Sequence, residues 1–477
     1  MDKAESRVVV DLDGTLVLTD MLVENVFLFL RAYPWRIFSL VAWLFKGKAY
    51  FKCKLADAVL PKTDRLPYNQ ALLVWLDQRR KAGARLVLAT ASDRRIAHGI
   101  AEHLRIFDDV LGTEPHVNLS ARRKREALVK LYGEGGFEYV GNSAADLKVW
   151  DAASRIHVAN PERGVLSAAR KLGTIGEVFD DRPGYLRTLL KALRVHQWAK
   201  NLLLFVPLLA SHRLLEPALA VRGTIAFIAF SLCASSVYLL NDLLDLQDDR
   251  QHRTKRFRPL AAGTLPILHG LFIMPVLLLA AVILSALWLP YYFLVVLAGY
   301  YVLTLAYSLR LKRVVMLDVV TLAMLYTVRV FAGAAAMSLV TTFWILAFCV
   351  FIFLSLAFVK RYTELREARE RGRRDKAAGR GYYPSDYELL ASLGGASGYI
   401  SVLVLALYIN DSSYGALYRH PQWMWGACPL LLFWLSRVWL LAHRGEMHDD
   451  PIVFALRDRI SRWVGLLFLC TFVLASF

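Results

Sequence analysis

Long apolar segments in the second part of the chain constrain its fold more than any other feature. Each of eight segments is close to the ~20 residues that an α-helix needs to cross the hydrocarbon core of a bilayer. They lie at about 222–240, 267–288, 291–309, 314–337, 339–359, 389–409, 422–442 and 459–477, and a shorter one at about 198–216 brings the predicted number to nine. The sequence therefore predicts an all-α polytopic membrane bundle of about nine transmembrane helices between residues 191 and 477.

The distribution of positive charge predicts the orientation of this bundle. The chain has a formal net charge of +18, which a nucleic-acid partner, anionic substrates or the positive-inside rule could each explain. Basic residues concentrate in alternate short loops, at 250–258, 310–313 and 360–380, and no motif that reads DNA or RNA is present. We therefore expect a multi-pass protein of a bacterial inner membrane, with the basic loops and the N-terminal domain in the cytoplasm. Nine spans would place Phe477 outside.

Residues 1–180 have the pattern of a soluble α/β domain. Short apolar runs at 8–10, 86–88 and 139–140 predict buried parallel strands, so we expect a Rossmann-like sheet whose site lies at the carboxyl ends of the strands. A helical cap is predicted at about 17–75, and its strongly apolar runs indicate either contact with the bilayer or a core helix. A linker at 181–190 is predicted to join this domain to the membrane part, 191–477.

Two carboxylates follow the first predicted strand. Asp11 and Asp13 are two residues apart, and Gly14 allows the backbone to turn tightly behind them. Carboxylates with this spacing can both reach one Mg²⁺ ion and one phosphate group. An ordinary strand-to-loop turn is the alternative interpretation.

This domain resembles the haloacid dehalogenase (HAD) superfamily of phosphohydrolases, whose four motifs occur here in the same order. The resemblance implies hydrolysis of a phosphomonoester, with Asp11 as the nucleophile that forms an aspartyl-phosphate and Asp13 as the general acid/base. It implies that Thr90 and Lys124 bind the phosphate, although the arginines at 122, 123 and 125 are alternatives to Lys124. The Mg²⁺ ligands that it implies are Asp11, Asp13 and Asp146.

An acidic motif follows the first of the eight long apolar segments. On a continuous helix Asp242, Asp245 and Asp249 would share one face, where they repel each other unless a cation such as Mg²⁺ lies between them. A solvated acidic helix end is the alternative. It is disfavoured by the basic run that comes next, because these cations could neutralise a diphosphate: Arg253, Lys255, Arg256 and Arg258.

Two further ionisable residues, Asp318 and Arg329, lie within one otherwise apolar span. Such groups are costly in a membrane and usually indicate a function. A structural ion pair between them is the alternative. Their separation of 11 residues is close to three helical turns, so they could also face one cavity without contact.

The membrane part resembles the UbiA prenyltransferase superfamily, because Asn241 and the three aspartates match its first motif, N-D-x-x-D-x-x-x-D. The second aspartate motif is incomplete, since Leu322 stands where a partner of Asp318 is expected. The stretches 194–201, 254–263 and 307–312 resemble the decaprenyl-phosphate phosphoribosyltransferase branch more closely. That branch implies transfer from phosphoribosyl diphosphate (PRPP) to a polyprenyl phosphate, decaprenyl or undecaprenyl, with release of diphosphate.

This resemblance implies a Mg²⁺ ion in the membrane domain as well, held by Asp242, Asp245 and Asp249, which we also expect to be its catalytic residues. We expect substrate binding by polar and charged side chains of the same part of the chain. They are Lys200, Asn241, Lys255, Arg256, Arg258, Lys312, Asp318, Arg329 and Lys360.

Because the two domains are fused, we expect them to act one after the other on the same lipid. The HAD domain would remove the 5-phosphate of the lipid-linked phosphoribose. Three alternatives stay open. The membrane domain could move a prenyl group from a prenyl diphosphate to an aromatic acceptor. The HAD domain could be regulatory or inactive, because Asn142 stands where its fourth motif has an aspartate. A transporter is disfavoured because the charges cluster at one edge of the bundle. The sequence leaves open whether the chain forms a homo-oligomer.

Overall fold

A computed structural model describes residues 6–114, 118–211, 213, 216–372, 380–411, 418–447 and 450–476. The chain forms two compact units, each of which is discontinuous in sequence. The first unit is Met1–Leu193 with Tyr238–Ile273, and the second is Arg194–Val237 with Met274–Phe477. The acidic motif at 241–249 therefore belongs to the same unit as the N-terminal domain. The predicted linker at 181–190 divides the chain by sequence position, whereas the two units are each made of two separate segments. The linker therefore stays a prediction.

A six-stranded parallel sheet forms the centre of the first unit. Its strands are β1 (Arg7–Val10), β2 (Arg85–Asp93), β3 (Asp109–Thr113), β4 (Glu138–Gly141), β5 (Arg155–Ala159) and β6 (Ile175–Phe179). The spatial order is β3-β2-β1-β4-β5-β6, so β1 pairs with both β2 and β4. Val8 and Val10 pack into the core on one face, and Val9 packs into the core on the other. This explains why β1 is a continuous apolar run and confirms the three predicted strands.

Helices cover the sheet and form an insert after β1. The insert contains α1 (Met21–Ala32), α2 (Ile37–Phe45), α3 (Lys48–Ala58) and α4 (Gln70–Lys81). The helices that follow in this domain are α5 (Arg94–Leu104), α6 (Ala121–Tyr132), α7 (Leu147–Trp150), α8 (Val165–Leu172) and α9 (Tyr185–Ala192). The predicted Rossmann-like domain with a helical cap is therefore confirmed. Within the cap, α1 and α3 bury Phe29, Phe51 and Leu55, whereas α2 buries no residue and is not a core helix.

Eight helices in the described part of the chain are long and apolar enough to cross a membrane. They correspond to the eight long segments expected from the sequence, and the multi-pass helical architecture is confirmed. The helices of this part of the chain are α10 (Val206–Ala210), α11 (Pro217–Leu244), α12 (Leu246–Gln251), α13 (Ile267–Trp288), α14 (Tyr291–Leu309), α15 (Leu317–Met337), α16 (Phe343–Glu370), α17 (Tyr387–Asn410), α18 (Ala427–Arg444), α19 (Pro451–Arg457) and α20 (Arg459–Ser476).

The ninth predicted span, at about 198–216, is not a long helix. Val195–Phe205 forms a 3-10 helix, and among the residues described between 206 and 216 only the five of α10 are α-helical. Pro207 lies in the first turn of α10, where its missing N–H costs nothing, whereas inside a longer helix it would break the hydrogen-bond ladder. The prediction of an external C-terminus assumed nine spans, and it stays a prediction. Phe477 itself lies outside the described residues.

A buried ion pair joins the cap to α12. Glu24 of α1 accepts two hydrogen bonds from the Arg250 guanidinium, at 2.8 and 3.0 Å, and one from the Gln247 amide at 2.6 Å. The Arg250 and Glu24 side chains are only 4% and 1% exposed. A second pair between the same two helices, Arg31 with Asp248 at 3.1 Å, is exposed to solvent. The buried pair is therefore the one that fixes α12 against the cap.

We predict that Glu24→Ala loosens α12 from the cap, because Arg250 would be left buried without its carboxylate at a cost of about 3–5 kcal/mol. Hydrogen–deuterium exchange of the peptide that contains 246–251 should then become faster than in the wild type. Arg31→Ala is the matched control, since it removes an exposed pair worth only about 0–1 kcal/mol. Equal exchange rates in the two variants would contradict the assignment.

Candidate active sites

Asp11 lies at the carboxyl end of β1 and is buried against a lysine. Lys124 of α6 donates to Asp11 Oδ1 at 2.6 Å and to the Tyr139 hydroxyl at 3.0 Å. Burial raises the pKa of Asp11 to about 7, although the Lys124 charge acts in the opposite direction. The carboxylate and the cation that the sequence predicted as nucleophile and phosphate ligand are therefore in direct contact.

Asp13 joins the same loop to β2 and to the cap. Its Oδ1 accepts from the Met21 amide at the start of α1, at 2.7 Å. Its Oδ2 accepts from the Ser92 hydroxyl at 2.8 Å and from the Thr90 hydroxyl at 3.4 Å. Burial and the nearby charge of Asp20 raise the pKa of Asp13, which favours a protonated carboxyl. Sequence reasoning identified Thr90 but missed Ser92, two residues further along the same strand.

The loop after β4 is organised by Asp146. Its Oδ2 accepts from the amides of Asn142 and Ser143, at 3.0 and 2.9 Å, and its Oδ1 accepts from the Tyr139 hydroxyl at 2.9 Å. The Asn142 side chain approaches Gly14 so closely that a Cβ at position 14 would collide with it, and Gly14 also has a φ of 75°. Asp146 therefore holds the loop in shape, whereas Asn142 presents its amide to the Asp11–Asp13 turn.

These residues line a cavity of about 970 Å³ in the first unit. Its lining includes Asp11, Asp13 and Asn142 together with residues of the segment Gly263–His269, which leads into α13. His269 contacts the ring of Tyr185, with 5.7 Å between the ring centroids. The cavity therefore extends from the candidate nucleophile to the first turn of a membrane-spanning helix.

Asn160 is a cavity residue that sequence reasoning missed. It follows β5 directly, has a φ of 49°, and is 2% exposed. Among the described residues, neither its side-chain oxygen nor its nitrogen has a hydrogen-bond partner. A buried amide without a partner in a cavity is suited to bind a polar substrate. Its position in the sequence could have identified it, because Asn160 follows β5 directly, as Asp11 follows β1.

The acidic motif does not lie on one continuous helix. The expectation that it would is wrong, because α11 ends at Leu244 and the backbone turns at Asp245, with φ −94° and ψ 9°. Aspartate is a poor residue for a helix interior and a favoured one at a helix start, and Asp245 is the residue from which α12 begins. Asp242 and Asp249 nevertheless converge, since Arg258 Nη1 donates to Asp242 at 3.1 Å and to Asp249 at 2.5 Å.

The surroundings of these two carboxylates are suited to a cation. Burial raises the pKa of Asp249 against the charge of Arg258, and the nearby charge of Asp245 raises it further. The buried side-chain oxygen of Asn241 has no partner among the described residues, and it is a further oxygen ligand of the kind that Mg²⁺ prefers. Across the described ranges, no group of three or more His, Cys, Asp or Glu side chains is arranged to hold a metal.

The other predicted phosphate ligands are distributed differently. Arg256 is exposed and stacks on the Phe257 ring at 4.8 Å, and Lys255 Nζ lies 4.0 Å from Asp249 Oδ1. Lys312 is half-buried in a 3-10 turn, Leu311–Arg313. Of the predicted basic residues in the first unit, Arg258 has the closest contact with the acidic motif.

Lys200 and Lys360 converge in the second unit on a residue that sequence reasoning missed. Lys200 and Lys360 donate to Asp450 Oδ2 at 2.8 and 3.1 Å, and the Tyr326 hydroxyl donates to the same carboxylate. Burial alone would raise the pKa of Asp450, but the two lysines hold it well below its usual range. Two cations and one anion leave a net positive charge that is suited to a phosphate group.

Asp318 and Arg329 have different partners and do not form the ion pair considered above. Asp318 pairs with Arg361, at 2.8 Å, and accepts from the Tyr307 hydroxyl at 2.8 Å. Arg329 donates to the Asn201 side chain at 2.9 Å and to the backbone oxygen of Leu325. The side chains of Asp318 and Arg361 are both fully buried. Asp318 is thus neutralised by an arginine that sequence reasoning did not connect to it.

We predict that Arg258→Gln makes the protein more dependent on Mg²⁺, because Asp242 and Asp249 lose the cation that they share. The melting temperature of the variant should fall in EDTA and recover in excess Mg²⁺ by more than that of the wild type. Arg256→Gln removes an exposed arginine from the same loop and should respond to Mg²⁺ as the wild type does. Identical responses of the two variants would mean that no cation binds beside these carboxylates.

Comparison with known proteins gives the following similarities. The sequence model described as the UbiA prenyltransferase family matches residues 202–475. Uncharacterized protein y4nM of Sinorhizobium fredii is 39% identical over 467 residues, which cover 98% of this chain and 90% of that protein. Decaprenyl-phosphate phosphoribosyltransferase of Mycolicibacterium smegmatis is 31% identical over 288 residues, which cover 58% of this chain and 90% of that protein.

The N-terminal part has structural neighbours of its own. The crystal structure of a probable phosphoserine phosphatase from Vibrio cholerae aligns with 37% of this chain and 62% of its own, at 13% identity and a TM-score of 0.28. A similarity at this level carries no information about activity, so the chemistry of this domain depends on the residues of its cavity.

Proposed function

We propose that the membrane part of the chain is a Mg²⁺-dependent phosphoribosyltransferase. The premise is that the chain belongs to the UbiA prenyltransferase family. The donor is PRPP and the acceptor is a polyprenyl phosphate such as decaprenyl or undecaprenyl phosphate. By the positive-inside rule, the basic loops and the N-terminal domain lie in the cytoplasm of a bacterial cell. The observation that carries the proposal is the convergence of Asp242, Asp249 and Arg258, together with the similarity to the mycobacterial phosphoribosyltransferase.

In the proposed reaction, an oxygen of the lipid phosphate attacks C1 of the ribose while the bond from C1 to the diphosphate oxygen breaks. A Mg²⁺ ion held by Asn241, Asp242 and Asp249, with Asp245 beside it, would supply positive charge to the departing diphosphate. Arg258 exchanges its contacts with the acids for contacts with phosphate oxygens. The protein mainly positions the two substrates and stabilises the charge of the leaving group.

Two features favour PRPP over a prenyl diphosphate as the donor. Leu322 stands where a second aspartate motif would need a carboxylate, and Asp318 is already neutralised by Arg361. A second set of carboxylates for a metal-bound prenyl diphosphate is therefore lacking at this position. The positive cluster of Lys200 and Lys360 on Asp450 supplies charge for a phosphate group instead.

We predict that Asp242→Asn lowers the rate of phosphoribosyl transfer by roughly 100-fold or more, because stabilisation of the leaving group is lost. Purified protein would receive labelled PRPP, Mg²⁺ and polyprenyl phosphate, and the lipid products would be analysed by mass spectrometry. Asp248→Asn is the matched control, since Asp248 is an exposed residue of the same motif that pairs with Arg31. A prenylated aromatic product, formed in preference when a prenyl diphosphate competes with PRPP, would favour the conventional prenyltransferase instead.

We propose further that the N-terminal domain hydrolyses the 5-phosphate of the lipid-linked phosphoribose. The supporting observation is the cavity that reaches from Asp11 to the segment Gly263–His269 at the start of α13. In this reaction Asp11 attacks the phosphorus, the bond from phosphorus to the ribose O5 breaks, and Asp13 protonates that oxygen. Water then hydrolyses the aspartyl-phosphate. The raised pKa of Asp13 suits the acid role, and Lys124 holds Asp11 in place.

The residues around Asp11 fit a Mg²⁺ ion, because the Asp11 carboxylate and the Asn142 amide oxygen line the same cavity, which leaves the Asp13 carboxyl for the acid role. Such an ion would offset the charge of the phosphate and favour the ionised form of Asp11. Asn142 makes the site one charge less negative than an aspartate would. That substitution is also the feature that favours the alternative of a regulatory domain without turnover.

We predict that Asp11→Asn separates the two proposed activities. Diphosphate release from PRPP should continue, while phosphoribosyl lipid accumulates and the release of inorganic phosphate falls to background. Asp77→Asn, which removes an exposed carboxylate paired with Lys81 on α4, should leave both activities unchanged. Unchanged release of phosphate in Asp11→Asn would contradict the proposed coupling, and no release in the wild type would support the regulatory alternative.

A further inference from the structure

The helix α2 and its flanks expose more large apolar side chains than a water-soluble surface normally carries. Trp35 is 92% exposed, Phe38 80% and Phe45 88%. Ile37, Val41 and Leu44 are about half exposed on the same segment. A contiguous apolar surface of this kind usually marks a contact with another molecule or with a membrane.

The inward side of α2 is already in contact with the cap. Leu40 and Trp43 pack against the small core formed by Phe29, Phe51 and Leu55. The outward side contains no charged residue, because the sequence of α2 is IFSLVAWLF. One side of α2 therefore packs against the cap, and the opposite side is also apolar but is exposed. Exposure of that face to water is unfavourable by roughly 25 cal/mol per Å².

Along the sequence, the charged residues that flank α2 are positive. Residues 25–56 contain six lysines and arginines and no aspartate or glutamate. Arg36 lies over the rings of Phe29 and Tyr33, at 5.9 and 5.6 Å, and Lys46 lies over the ring of Tyr50 at 5.3 Å. Aromatic rings beside extended basic side chains, next to an apolar face, are the composition of segments that lie in the headgroup region of anionic bilayers.

We propose that residues 33–48 form an interfacial anchor, with the outward face of α2 inserted into the boundary between headgroups and acyl chains of an anionic bilayer. The apolar helical segment Pro34–Phe45 is too short to cross the hydrocarbon core, so it lies along the surface. A bilayer is always present, because the same chain has eight helices of membrane-spanning length in its described part. The positive charge favours this occupant over a second copy of the chain, whose matching surface would repel it.

The anchor tethers the cap, and with it the turn that contains Asp13, to the membrane surface. The Met21 amide at the start of α1 donates to Asp13, and α1 packs against the core that supports α2. Such a tether would position the cap whatever reaction the domain catalyses.

The test is photo-crosslinking of the full-length protein in nanodiscs that contain phosphatidylglycerol and phosphatidylcholine. The photoreactive residue p-benzoylphenylalanine would replace Phe38 in one variant and Leu131 in the control. Leu131 is a 56%-exposed residue of α6 in the same unit. Mass spectrometry should find lipid adducts at position 38 in several-fold excess over position 131. Adducts to a second copy of the chain, or equal lipid yields at both positions, would overturn the proposal.

A second measurement tests the charge. In the variant with the photoreactive residue at position 38, Lys46→Gln with Lys48→Gln should reduce the lipid adducts several-fold, and so should nanodiscs of phosphatidylcholine alone. Lys130→Gln with Lys171→Gln removes the same charge from other exposed positions of the unit and should leave the yield unchanged. Equal losses in the two double variants would overturn the assignment to an anionic surface.

Discussion

A carboxylate that is buried away from water is costly unless a cation compensates its charge, and this chain buries several. Asp11 has Lys124, Asp318 has Arg361, and Asp242 and Asp249 share Arg258. In each of these clusters the compensating cation is in direct contact with the carboxylate. In a site for phosphate groups this is useful, because substrate and metal can replace the protein's own ion pairs without leaving a bare charge.

The two candidate sites solve this problem differently. At the site around Asp11 the cation comes from a helix that covers the sheet, and Asp13 is satisfied by neutral donors from β2 and α1. At the acidic motif the cation comes from the loop that follows α12, nine residues after Asp249. The cation is thus supplied by a covering helix in one site and by the adjoining loop of the chain in the other.

Sequence patterns predicted the strands and spans well because these depend on the length and apolarity of local runs. Val8–Val10 needed only to be recognised as a run buried on both faces. The failures have a different origin. The break at Asp245 and the short α10 depend on the geometry of a few backbone angles, which apolar periodicity does not record. Asp450 was missed because its partner Lys200 is 250 residues away along the chain. A residue such as Asn160 is recognisable mainly once the cavity that it lines is known.

The buried pair between Glu24 and Arg250 also bears on how such a fusion could persist. An arginine enclosed by an added domain comes to rely on that domain, even if both parts once folded independently. Loss of the N-terminal domain would then leave Arg250 without its carboxylate partner in the remaining protein. Separation of the two parts would therefore lower the stability of the remaining protein, even where its chemistry did not require both.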